Sequence, residues 1–245
     1  MHARWLASLI LVLLFPAVAG GSGSGCDPGS DGPDEIYCSH LDDTHDGDPG
    51  DDLVVGRGGN DILHGGPDHD ELFGDGGMDV LIGDEGNDHL YGGAGNDSLV
   101  GSVGNDLADG STGRDALSGG EGGDLLYGGP DDDQLDGGPG IDRLDGDHGD
   151  DDLLGGRGED LIYGGRGSDL IRGGSGPDEI YGGPGADEIH AGPGIDIVIA
   201  GADDDIVYAR DSRSDRIRCG PGIDTVIADA EDRVGRDCEN VQTAP

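Results

Sequence analysis

Gly92-Gly93-Ala94-Gly95-Asn96-Asp97-Ser98-Leu99-Val100 is followed without a gap by Gly101-Ser102-Val103-Gly104-Asn105-Asp106-Leu107-Ala108-Asp109. The two stretches share a nine-residue frame, with glycine at positions one and four, aspartate at six and an apolar residue at eight. Extended outward, the frame gives eighteen consecutive units from Gly47 to Tyr208 with no slip in register. Position six is aspartate in all of them: Asp52, Asp61, Asp70, Asp79, Asp88, Asp97, Asp106, Asp115, Asp124, Asp133, Asp142, Asp151, Asp160, Asp169, Asp178, Asp187, Asp196 and Asp205. Position eight is apolar throughout, from Val54 and Leu63 to Val198 and Val207. Position one is Gly except at Ala191 and Ala200, and position four is Gly except at Asp68, Asp131 and Asp203. A structureless Gly/Asp tract would drift in spacing and hold no fixed apolar position.

Composition alone points elsewhere. Of 245 residues, 54 are Gly and 54 are acidic, all 13 basic residues are Arg, and the formal charge is −41. So few large apolar side chains with so much charge are the mark of disorder, and they cannot build a conventional enzyme core. The charge also argues against nucleic acid and anionic membranes as partners, and for cations.

The ninefold period resolves the conflict. Glycines at positions one, two and four permit positive φ and close backbone approach, so six residues can turn with their carbonyls facing inward. The last three residues form a short strand, with position eight on one face and positions seven and nine on the other. Two units make a turn of eighteen residues, and stacked turns pair into two parallel sheets around a thin aliphatic core. The expected fold is all-β, a parallel β-roll (solenoid). Stacking also aligns the position-six aspartates in two columns at the strand spacing of about 4.8 Å, where each adjacent pair repels by roughly 0.9 kcal/mol even at the dielectric of water. A cation is needed between the rungs. Carboxylate and carbonyl oxygens, without clustered His or Cys, select Ca²⁺ over Zn²⁺ or Mg²⁺.

The pattern G-G-x-G-x-D-x-U-x resembles the nonapeptide of the repeats-in-toxin (RTX) family, the hemolysin-type calcium-binding repeats. The resemblance covers residues 47–208 and, less regularly, Cys219 to Ile227, where Asp224 holds position six and Val226 position eight. It implies calcium ions between loops of successive turns, with the eighteen aspartates and Asp224 as side-chain ligands. Gly93, Gly95, Gly120, Gly122, Gly156, Gly158, Gly165, Gly167, Gly174 and Gly176 are implied as carbonyl donors. An uninterrupted roll of this length would hold about 16 ions. Weak or empty sites are expected where Asp68, Asp131 and Asp203 replace Gly at position four, and where Arg57, Ser102 and Ser111 replace it at position two. One extra residue after Tyr208 leaves Asp215 a less regular ligand. Family members that are toxins, proteases or lipases carry a further domain before the repeats, for which this chain leaves no room. The paired cysteines and the N-terminus described next favour general secretion over the one-step exporter many of them use.

Met1 to Ala19, with Arg4, the apolar run Trp5 to Phe15 and Ala17-Val18-Ala19, reads as a secretory signal peptide, shorter in its apolar part than a membrane span. Gly20 to Gly25 is a flexible spacer, and Gly23 stands where a lipobox has Leu, so lipid anchoring at Cys26 is a minor alternative. Four cysteines in a secreted chain suggest disulfides, paired as Cys26 with Cys38 and Cys219 with Cys238; a zinc site is the competing reading. Segments 20–46 and 209–245 are expected to be a spacer with an N-terminal cap, and irregular last repeats with a C-terminal cap.

Position nine carries Phe73, Tyr91, Tyr127, Tyr163 and Tyr181 on one sheet face, a row that suggests a cell-surface adhesin or glycan-binding protein as the alternative function. His40 and His45 with Asp42 and Asp43 are a candidate transition-metal site, and Asp229, Asp232 and Asp237 a candidate further ion site. No Ser-His-Asp constellation is expected, and no catalytic residue is nominated. The leading expectation is a secreted, non-enzymatic protein that folds on binding several Ca²⁺.

Overall fold

A computed structural model of the chain describes residues 26, 29 and 32–243. The expected signal peptide and glycine spacer lie outside the described residues. Among the described residues twenty-four strands form two twelve-stranded sheets, and every strand pair is parallel. Alternate strands go to alternate sheets. The first sheet begins with Glu35–Tyr37 and the second with Thr44–Asp46, so the chain winds through twelve turns of a β-roll. No described segment is helical.

The register follows from the repeat. Residues pair with those eighteen later, as Leu72 with Leu90 and Leu135 with Leu153. Position-eight side chains therefore stack, and Leu63, Leu90, Leu126, Ile162 and Val207 are all fully buried. Two such residues per turn suffice because the two sheets face each other across one side-chain layer.

Most strands are six residues long rather than the expected three. Ile62–Pro67 shows why: pairing with the next turn continues into the following unit, at Gly66 and Pro67, across a positive φ of +109° at Gly66. Glycine has two different jobs. At Gly95, position four, φ is +141°, and an added Cβ would overlap the Gly77 carbonyl oxygen. Position one was expected to use positive φ and does not. It needs glycine for space, because a Cβ on Gly65 would lie 2.5 Å from Asp70 Oδ2 and 2.9 Å from the Gly83 carbonyl oxygen. The substituted loops keep the same backbone. Arg57, Ser102 and Ser111 take φ of 77°, 85° and 70°, and Asp68, Asp131 and Asp203 take 89°, 84° and 84°. Each such non-glycine residue costs on the order of 1–2 kcal/mol.

The ladder runs past the expected span at both ends. Glu35–Tyr37 pairs with Leu53–Val55, and Thr44–Asp46 pairs with Ile62–His64, so two units precede Gly47. Ile36 enters the core, and His45 takes the slot that leucine holds elsewhere. Beyond Tyr208 the offset becomes nineteen residues (Val198 with Ile217), then seventeen (Ile217 with Val234) and fifteen (Val226 with Val241). The loops absorb these length changes, and the strands keep their register. Both expected disulfides form, Cys26–Cys38 and Cys219–Cys238, which leaves no thiolate for the zinc alternative.

Candidate metal centre in two carboxylate columns

Each position-six aspartate sits where a loop enters a strand, directly above its counterpart in the previous turn. Its Oδ1 accepts the backbone N–H of the aspartate eighteen residues earlier: Asp88 N–H to Asp106 Oδ1 at 2.8 Å, Asp106 N–H to Asp124 Oδ1 at 2.9 Å. The chain of bonds runs unbroken in both columns. One starts at Asp34 and passes through Asp215 to Asp232; the other starts at Asp43 and passes through Asp224 to Glu239 Oε2. Asp34, Asp43, Asp232 and Glu239 were not expected as rungs.

The other oxygen is different. Oδ2 of all eighteen expected aspartates, and of Asp215 and Asp224, is buried with no hydrogen-bond partner. These side chains are at most 3% exposed. A buried carboxylate oxygen left unpaired is costly, and twenty of them in register cannot be incidental. The loop carbonyls stack as well. The Gly95, Gly122, Gly158 and Gly167 carbonyl oxygens occupy the places a Cβ would take on Gly113, Gly140, Gly176 and Gly185, so they point along the roll toward the next loop. All ten glycines expected to donate carbonyls have positive φ. Carboxylate oxygen and backbone carbonyls, with no nitrogen or sulfur, are the donor set of a hard divalent ion.

Burial pushes all twenty of these carboxyls upward, and neighbouring carboxylates add to it in most cases, against the lowering effect of the N–H bond to Oδ1. Asp151 reaches about 8. Asp70, Asp115, Asp142, Asp178, Asp187 and Asp196 reach about 7. Asp79, Asp88, Asp124, Asp133, Asp169, Asp205 and Asp215 reach about 6. Without a counter-charge the columns would hold protons near neutral pH.

A second ladder escaped the sequence reading. At position five the side-chain oxygen accepts from the backbone of the following turn, as in Met78 N–H to Asn60 Oδ1 at 2.8 Å and Asn105 N–H to Asn87 Oδ1 at 2.7 Å. Its direction is opposite to that of position six. The recurring Asn and Asp at Asn60, Asn87, Asn96, Asn105, Asp132, Asp150 and Asp204 were the available signal.

Other candidates fare less well. His40, His45, Asp42 and Asp43 do not gather into a donor cluster, and Asp43 is engaged by the Ser39 backbone and hydroxyl. Asp229 and Asp232 share hydrogen bonds with the backbone of residues 211, 212, 215 and 229, tying the last loops together. The aromatic row does lie on one sheet, but Asp109 and Asp145 interrupt it on either side of Tyr127. Phe73 stacks on Tyr91 at 4.8 Å, Tyr163 stacks on Tyr181 at 4.9 Å, and Arg143 lies over Tyr163. A groove of about 480 Å³ beside this last pair is lined by Arg143, Asp145, Asp147, Arg166 and Pro184 among others.

Fold and columns together define a β-roll with stacked carboxylate oxygens carried where its loops enter two parallel sheets. The chain belongs to the RTX calcium-binding nonapeptide repeat family, whose four-copy model matches five times in succession, at residues 46–77, 73–108, 109–144, 145–180 and 181–213. Among curated proteins none matches the chain significantly.

Proposed function

We propose that this is a secreted protein whose chain orders into a β-roll on binding several Ca²⁺, and which acts outside the cell as a structural or binding module without catalysis of its own. The observation that carries the reading is the set of twenty buried, unpartnered Oδ2 atoms. A bound divalent ion supplies the positive charge these oxygens lack. The chain's residues do the rest. Position-six carboxylates from Asp52 to Asp205, with Asp215 and Asp224, present Oδ2 to the gap while their Oδ1 atoms hold the backbone of the preceding turn. The carbonyls of Gly93, Gly95, Gly120, Gly122, Gly156, Gly158, Gly165, Gly167, Gly174 and Gly176 are the proposed backbone donors. With ten orphaned oxygens per column, the gaps between them number nine in each, so the expected count of about 16 ions rises to about 18.

Binding is linked to folding, because the ordered stack offers complete sites and the unfolded chain does not. Secretion is supported by the signal-like Met1 to Ala19 and by the two disulfides, which close the segments proposed as caps. The alternative, an adhesin that binds glycans through the tyrosine row, has less support, since the stacked rings spend their faces on each other.

Far-ultraviolet circular dichroism at pH 7.5, with calcium and with excess EGTA, tests the reading. A β spectrum is expected only with calcium, and an identical spectrum after chelation would sink it.

A further inference from the structure

We propose that the last turns of the first sheet carry a platform for a linear polyanionic polysaccharide, built by Arg216, Arg218 and Arg233. The proposal rests on the calcium-ordered roll, because only the fold brings these residues together.

The charge of −41 is unevenly spread. Residues 26–100 hold 20 acidic residues and one arginine, Arg57, whereas residues 209–243 hold eight acidic residues and six arginines. Two or more of those eight, Asp215 and Asp224 among them, are ladder carboxylates aimed into the roll. With those two set aside, these turns carry as many arginines as acidic residues, on an otherwise strongly acidic molecule.

The arginines are also placed. Arg216 and Arg218 flank the fully buried Ile217, so both project from the outer face of the strand Arg216–Arg218. Arg233 is the register partner of Arg216 on the next strand and is exposed. On the strand before, the outward residues paired with Arg216 and Arg218 are Ile197 and Ile199, so that neighbour brings no acid to the patch. Five other arginines are engaged: Arg57 with the Cys38 carbonyl, Arg114 with Asp132, Arg143 with Asp145, Arg166 with His148 and Arg172 with Asp152. Arg216, Arg218 and Arg233 have no side-chain hydrogen bond or ion pair among the described residues.

Three arginines on one sheet face, their backbones one strand spacing of about 4.8 Å apart across the sheet and two residues apart along it, suit carboxylate or sulfate groups repeated along a chain. The surroundings set the shape of the partner. Acidic loop residues on both sides, Asp203, Asp204, Asp229 and Glu231, repel a broad anionic body such as a bilayer or a double helix, whereas a thin chain fits between them.

The test uses the full chain with calcium in 50 mM NaCl, heparin as the sulfated probe and hyaluronan as the carboxylated one. The wild type is expected to bind one or both and to be released by raised salt. Joint Arg216→Gln, Arg218→Gln and Arg233→Gln should weaken binding by about tenfold or more, while Arg114→Gln with Arg172→Gln changes it less than twofold. Equal binding by the triple variant, or no binding by wild type that dichroism shows to be folded, overturns the inference and leaves the calcium reading intact. Arginine-dependent binding to phosphatidylserine vesicles or a single-stranded oligonucleotide in place of both glycans also overturns it. A folded roll that still binds heparin in EGTA keeps the platform and removes calcium from the argument.

Discussion

Asp124→Asn separates the two oxygens of one rung. Asparagine keeps an Oδ1 to accept the Asp106 N–H, now at 2.9 Å, and puts an NH₂ group where the unpartnered Oδ2 lies. The effect should have opposite signs with and without calcium. In EGTA, the folded carboxyl titrates near 6 instead of 3.8 because it is fully buried. Between those two values the folded state holds a proton that the unfolded chain has released, so the contribution of Asp124 to stability is complete below about 3.8 and is lost as pH rises through about 6. A shift of about two pH units corresponds to a cost on the order of 3 kcal/mol at neutral pH, which the asparagine variant escapes. The apo variant should therefore hold its β spectrum to higher pH than the wild type. In calcium, under the proposed coordination, the same change removes one charged ligand and aims a donor at the ion, so the variant should bind one or two ions fewer and need more calcium to order. Dichroism across pH 3 to 8 in EGTA reads the first effect, and isothermal titration calorimetry in calcium reads the second. Stabilisation under both conditions would refute the assignment of Oδ2 as a ligand. Destabilisation under both would refute the argument from buried charge.

Two further outcomes are expected in calcium. Leu126→Ala opens a void in a single-layer core where the side chain is fully buried, and should cost 2–5 kcal/mol by denaturant unfolding, roughly as in larger cores. Gly95→Ala and Ser102→Gly should move thermal stability in opposite directions. The alanine meets the Gly77 carbonyl at φ +141°, whereas the glycine relieves a serine held at φ 85° and should gain about 1 kcal/mol.

The middle of the roll was legible because one constraint repeats. Each turn must bury two aliphatic residues and stack two aspartates, so period, core and columns appear together in the chain from Gly47 to Tyr208. The ends were hidden by substitution. Gly29 to Tyr37 keeps the frame, with Asp34 at six and Ile36 at eight, but in the next unit Cys38 stands at position one and His45 at position eight. A cysteine reads as a staple and a histidine as a solvated loop, although the strand ladder accepts both. Glu239 was out of reach for another reason: its longer side chain spans a turn of fifteen residues, and no fixed period predicts that. The position-five ladder was masked by chemistry, since Asn and Asp in a loop ordinarily signal a turn. The three arginines could not be found by averaging charge, because their proximity comes from pairing across a strand boundary.

The alternation of strands between two sheets bears on how such a gene can change length. Loss or duplication of two units removes or adds a whole turn and returns every later residue to its own sheet. An event of one unit keeps the carboxylate columns in step, because both columns are alike, but transfers everything downstream to the opposite face. Slippage by nine residues between Tyr181 and Arg216 would place the aromatic pair and the arginines on opposite sides of the roll. Ion binding is thus indifferent to the parity of the repeat number, whereas any partner that reads the outer surface is not.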